Sequence, residues 1–137
     1  MEKAVFNLEN YCFSDIQLHL ANLEEETTLS LNFEPQGVFD TQKKQFTLVL
    51  IFQAIAEKSQ RTIVEVKCEA DFVFKDSISF EDIPLYFYPN SIAIVFPYIR
   101  AMVSTLTLQA NIQKPIVIPT MNLSSLQEQL RNRVEIQ

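Results

Sequence analysis

The residue types that most often perform catalysis are sparse in this chain. Among 137 residues there is one histidine, His19, and two cysteines, Cys12 and Cys68. A general base needs an orienting partner and a substrate-facing site. His19 lies in a strand-like pattern and reads as a surface or packing residue. Ser91 and Ser104 have no nearby base in sequence. There is no Cys-x-x-Cys, no His-x-x-x-His and no phosphate-binding glycine loop, since Gly37 is the one glycine. Glu65, Glu69 and Asp71 offer carboxylates to a metal, but their spacing fits a solvated strand face better. No enzyme activity, cofactor or metal is expected. The run Glu24-Glu25-Glu26 reads either as a solvated loop or as a contact for a basic partner segment.

Composition narrows the classes further. The formal net charge is −6 and the pI about 4.7. A phosphate backbone is repelled by such a surface, so nucleic acid is not an expected partner. The hydrophobic fraction is 47%, with 11 Phe, 4 Tyr and no Trp. That richness means either a dense core or apolar surface covered by another chain or a ligand. Cys12 and Cys68 read as reduced, packed thiols. The N-terminus carries Glu2, Glu9 and Asp15 without a basic flank leading into an apolar run, which is not signal-peptide chemistry. The longest apolar run, Leu48 to Phe52, falls far short of the ~18 residues needed to span a bilayer. Residues 1–137 form one expected domain, cytoplasmic and without membrane insertion.

The elements that must position any site follow from periodicity. Phe6 to Leu20 holds two apolar sets, Phe6/Leu8 and Ile16/Leu18/Leu20. Leu29, Leu31 and Phe33 alternate with Ser30 and Asn32, giving a short strand closed by the turn chemistry of Glu34-Pro35-Gln36-Gly37. Phe46 to Ala56 is apolar on both faces, as in a central strand. Glu57 to Arg61 is a hairpin connection. Thr62 to Phe74 alternates cleanly, with Val64, Val66, Cys68, Ala70, Phe72 and Phe74 on one face and Glu65, Lys67, Glu69 and Asp71 on the other. Lys75 to Asn90 reads as a loop. From Ser91, a candidate cap, apolar residues recur at helical spacing through Leu106, with Pro97 as a kink or as the start of the regular part. Lys114 to Met121 must be extended around Pro115 and Pro119. Leu123, Leu126, Leu130 and Val134 recur at helical spacing behind a possible capping box, Ser124-Ser125-Leu126-Gln127. The expectation is an α+β fold: a four-stranded antiparallel sheet with two C-terminal helices on one face.

One segment resembles a known signature. Tyr88-Pro89-Asn90-Ser91 leading into Val95-Phe96-Pro97-Tyr98-Ile99-Arg100 is similar to the SecB protein-export chaperones, where Cys-Pro-Asn precedes Leu-Phe-Pro-Tyr-Ala-Arg at the first long helix. Pro119-Thr120-Met121-Asn122-Leu123 resembles that family's Ala-Pro-Val-Asn-Phe before the second helix. Phe6-x-Leu8, Tyr11 and Ser14-Asp15-Ile16 resemble its first strand.

The resemblance implies an ATP-independent holdase that binds unfolded or precursor polypeptides in apolar grooves. It implies a homo-oligomer, a dimer of dimers packed through the first helices. The matching groove positions are Leu29, Leu31 and Phe33, facing Leu123, Leu126 and Leu130; these six also fit an ordinary amphipathic core. The oligomer interface would use Phe96, Ile99, Met102, Val103 and Leu106. Asp15, Glu65, Glu69 and Asp71 would form a partner-binding sheet face, with the export motor SecA as a candidate partner. Here the chain departs from the pattern. His19 and Lys67 stand where the family has glutamates, and Glu65 replaces a leucine. Asp71 and Phe72 replace a double glycine, and the end, Arg131 to Gln137, carries no acidic tail. A solitary chaperone, or an adaptor dedicated to one partner such as an antitoxin, is the alternative to export.

Overall fold

The computed structural model of the chain describes residues 5–24, 26, 28–76 and 78–137. Glu25 of the acidic run, and Glu2 in the N-terminal segment, lie outside the described residues.

The alternation from Thr62 to Phe74 becomes β4 (Thr62–Phe74) with the expected bounds. Val64, Val66, Cys68, Ala70 and Phe72 are buried, while the intervening charged residues stay partly exposed. On one side β4 pairs antiparallel with β1 (Phe6–Leu18), through bulges at Leu8/Asn10 and Phe13/Asp15. On the other it pairs antiparallel with β3 (Gln45–Ala56), the central strand, which then pairs antiparallel with β2 (Leu29–Asp40).

The sheet has one strand more than expected. β5 (Val134–Ile136) joins β2 in parallel, giving five strands in the order β1-β4-β3-β2-β5. The expected four-stranded antiparallel sheet is therefore mixed. Val134 continues the helical spacing of Leu130, but main-chain hydrogen bonding prevails. The Gly37 N–H donates to the Arg133 carbonyl (3.2 Å), and the Gln137 N–H donates to the Phe39 carbonyl (2.9 Å). The Thr41 hydroxyl adds a bond to the Gln137 carbonyl at 2.7 Å.

The expected turn at Glu34–Gly37 is absent, and β2 runs straight through it. Pro35 is tolerated because its missing N–H falls on the side away from β3, where an edge strand needs no donor. Gly37 is needed for space. A Cβ there would lie 2.5 Å from Phe46 Cζ and 3.3 Å from Leu130 Cδ1. The hairpin closes later, after Asp40, whose Oδ1 accepts the N–H groups of Gln42 (2.9 Å) and Lys43 (3.0 Å). These bonds, the one from Lys43 foremost, hold the Asp40 carboxyl below its usual pKa. The β3–β4 connection at Glu57–Arg61 is a hairpin as expected, with Gln60 at φ 60°.

Helix α1 (Phe87–Gln109) starts four residues before Ser91, inside the segment read as loop. Pro89 fits the first turn, where its missing N–H costs no helical bond. The Ser91 hydroxyl donates to the Tyr88 carbonyl (2.9 Å) instead of capping the helix. Pro97 lies within it. Ile92, Val95, Ile99 and Val103 form a buried stripe, and the fully buried Phe87 ring meets Phe6, Phe46, Phe72 and Phe74. By length and composition α1 could cross a membrane, although no uninterrupted apolar run reaches that length. In this fold its stripe packs on the sheet. Helix α2 (Ser124–Arg131) packs Leu126 and Leu130 against β2 on the same sheet face. Its first amide, Ser124 N–H, donates to Asn122 Oδ1 (3.0 Å); no serine side chain caps it.

Gly37→Ala forces the Phe46 and Leu130 side chains apart in a close-packed core. A loss of about 1–3 kcal/mol is expected, read as a lower urea midpoint.

Candidate functional site

A hollow lies at the start of β2. It has a volume of about 690 Å³ and is lined by Leu23, Glu24, Glu26, Leu29 and Leu31 on one side and by residues 113–117 on the other. The second wall is the connection between α1 and α2. Pro115 keeps it extended, so its side chains alternate in and out. Ile116 and Ile118 are buried, whereas Val117 between them is 62% exposed.

One side chain ties this wall to α1. The Thr107 hydroxyl donates to the Val103 carbonyl (2.9 Å) and accepts the Ile116 N–H (3.0 Å). The Ser104 hydroxyl donates to the Ile116 carbonyl at 3.4 Å. A buried hydroxyl thus satisfies a backbone donor that no sheet or helix reaches. Val117 also borders a smaller hollow of about 430 Å³ on α1, lined by Phe96, Pro97, Arg100, Ala101 and Ser104.

The six expected groove residues divide. Leu29 and Leu31 line the hollow. Phe33 lies beside them, half-buried, between Phe52 (ring centroids 5.1 Å apart) and Phe96 (5.6 Å). Leu123 is half-buried on the core, and Leu126 and Leu130 are inside it, at 7% and 0% exposed. Leu126 and Leu130 hold α2 down and do not face solvent. Sequence reasoning missed Ile116 and Val117. The signal was present as an apolar triplet, residues 116–118, framed by prolines.

Asp15, Glu65, Glu69 and Asp71 share the sheet face away from the helices. Asp15 stands opposite Lys67, and Asp71 accepts the Thr47 hydroxyl at 2.7 Å. Gln17 bridges Asp15 (2.7 Å) and Glu65 (3.3 Å), and His19 contacts the Gln17 carbonyl oxygen at 3.2 Å. Gln53 also donates to Glu65. Lys67 sits within this acidic patch and interrupts it. Among the described residues, no group of three or more His, Cys, Asp or Glu could hold a metal ion. Cys12 and Cys68 fall on opposite faces of the sheet and cannot pair. Burial, with smaller contributions from Cys12 and Glu69, pushes the Cys68 thiol up to about 11, so it is inert at neutral pH.

The five expected interface residues on α1 also divide. Ile99 and Val103 are buried within the subunit; Phe96, Met102 and Leu106 are half-buried on its core. The outward stripe consists of Ile94, Tyr98, Ala101 and Leu108. Tyr98 stacks on the exposed Tyr11 of β1, with centroids 4.2 Å apart and planes 27° from parallel.

No family model matches the sequence. A 37-residue stretch is 49% identical to the uncharacterized protein MJ0357 of Methanocaldococcus jannaschii; it covers 27% of this chain and 23% of that protein's length. Among solved structures, the Mycobacterium tuberculosis Rv1957 SecB-like chaperone, in complex with a ChAD peptide from the Rv1956 HigA1 antitoxin, superposes with a TM-score of 0.66. That match covers 85% of this chain and 88% of the other, at 18% identity. The chain has a SecB-like fold. A protein of unknown function from Streptococcus agalactiae superposes more loosely, at TM-score 0.45 and 12% identity, over 84% of this chain and 97% of that one. The hollow lies between the start of β2 and the connection between the helices, at the margin of the core.

Thr107→Val removes the acceptor of a buried N–H while keeping the side chain's shape. A loss of about 1–3 kcal/mol is expected in chemical unfolding. Amide exchange at Ile116 should become fast in the folded protein.

Proposed function

We propose that this protein is an ATP-independent, cytoplasmic holding chaperone that takes up non-native polypeptide segments in the hollow beside β2. The observation that carries the reading is the hollow itself: an open trough with Leu23, Leu29 and Leu31 on one wall and Val117 on the other, in a SecB-like fold. Rv1957, which shares the fold, was solved with an antitoxin peptide, which supports polypeptide as the ligand class. Burying apolar client surface there contributes about 25 cal/mol per Å². Folded proteins hide such segments, so selectivity is for the unfolded state. Several weak contacts along one chain would add through avidity.

A second reading is an adaptor dedicated to one partner, an antitoxin segment for example; the antitoxin peptide bound by the neighbour favours it. Copurification with one stoichiometric protein, together with no affinity for generic unfolded chains, would distinguish it. Export through SecA has weaker support, because Lys67 and His19 break the acidic character of the Asp15, Glu65, Glu69 and Asp71 face.

The wild type should suppress aggregation of a chemically unfolded protein without ATP at a few-fold excess. Leu31→Arg with Val117→Arg should abolish that suppression and leave the circular dichroism spectrum unchanged. Suppression that persists in this pair would reject the groove.

The oligomer belongs to the same proposal. The stripe Ile94, Tyr98, Ala101 and Leu108 recurs at spacings of four, three and seven, a seam suited to a helix from another copy. Arg100 is the single charged side chain in α1. Light scattering should give a dimer of dimers, and Ile94→Glu with Leu108→Glu should halve the mass. A monomeric wild type at micromolar concentration would remove the oligomer from the proposal.

A further inference from the structure

The edge of β2 offers backbone as well as side chains. In an antiparallel pair, successive residues turn their N–H and C=O alternately towards one neighbour and the other. Gly37 and Phe39 turn theirs towards β5, through the bonds to Arg133 and Gln137. The same parity turns the N–H and C=O of Leu29, Leu31 and Phe33, and the carbonyl of Pro35, to that side. β5 pairs only with Gly37, Val38 and Phe39. Among the described residues, no backbone partner meets the outward groups of Leu29, Leu31 and Phe33. Leu29 and Leu31 also line the hollow. Apolar lining and unpaired backbone therefore coincide over one stretch. Glu24 and Glu26 border it, against the single cation Lys114.

We propose that the bound segment is added to the sheet as a sixth strand, in line with β5, along Leu29 to Phe33. The occupant is an extended polypeptide with apolar residues at alternate positions and a basic residue against Glu24 and Glu26. The proposal rests on the polypeptide-binding reading of the hollow. The open stretch continues an interface that the chain already makes with its own C-terminal strand. That interface shows the β2 edge accepting an extended segment. Side chains of the added strand alternate between the hollow and solvent, which matches the leucines that line it. Pro35, lacking a donor, and β5 beyond it end the ladder and limit it to a few residues.

The test uses the full chain and a fluorescein-labelled synthetic peptide, Lys-Val-Thr-Val-Thr-Val-Thr-Val. Two further forms carry N-methyl groups on alternate amides, one form for each edge of the peptide. The parent peptide should bind, one N-methylated form should lose at least tenfold in affinity, and the other should retain it. Amide exchange at Leu31 and Phe33 should slow at least tenfold on peptide addition. Leu31→Pro removes an outward donor without touching a β2–β3 bond, and should weaken binding at least tenfold more than Leu31→Ala, which also shortens the side chain but keeps the donor. Replacing the peptide's Lys with Glu should weaken binding at least threefold. Equal binding by both N-methylated forms with unchanged exchange would overturn strand addition while leaving the groove intact. So would failure to bind the parent peptide in a protein that still suppresses aggregation. A protein that neither binds the peptide nor suppresses aggregation would refute the groove reading and this inference together.

Discussion

The Phe87 ring lies fully buried at the start of α1, with its centroid 4.9 Å from those of Phe6 and Phe46 and 5.5 Å from that of Phe72. These rings come from β1, β3 and β4, so one side chain fixes the long helix against three strands. The contacts are mostly edge-to-face, a geometry worth about 0.5–1.5 kcal/mol per pair beyond area burial. With that end pinned, Ile92, Val95, Ile99 and Val103 follow along the sheet at helical spacing. The path of α1 then determines what remains uncovered. β3 and β4 are shielded by it, the later half of β2 by α2, and the first residues of β2 only by the connection between the helices.

That connection is the least regular part of the helical layer. Its position depends on Thr107, whose hydroxyl serves one partner as donor and another as acceptor. A hydroxyl suits this place because the extended segment presents its backbone to a helix side, where no ladder can form. The hollow therefore has one wall of rigid sheet and one wall held by a few polar contacts. Such a wall can shift for ligands of different bulk more readily than a sheet can.

Much of the architecture was legible in the sequence. The 13 residues of β4 alternate without interruption, and its strand appears with the expected bounds. β3, apolar on both faces, takes the central place. The misreadings have specific physical causes. Glu34-Pro35-Gln36-Gly37 has turn composition, but Pro35 meets an edge where no donor is wanted and Gly37 meets the Phe46 ring. Val134 keeps helical spacing from Leu130, yet an open strand edge captures it. Within the candidate site, Leu29 and Leu31 were legible from alternation. Leu126 and Leu130 were not distinguishable from them, because an amphipathic stripe looks the same whether it faces a ligand or a core. Ile116 and Val117 were hidden because their roles depend on a tether from Thr107.

Pro35 has a further consequence. A chain that gathers unfolded polypeptide at a strand edge risks becoming a seed for cross-β growth, since each added strand exposes a new edge of its own. At Pro35 the row of donors is broken, and the three residues of β5 occupy the positions next to it. Only a stub of β2 remains as a template, too short to order the six or seven residues that a steric zipper needs. The same proline that disguised β2 as a turn thus shortens the open edge of β2 and limits what can be templated on it.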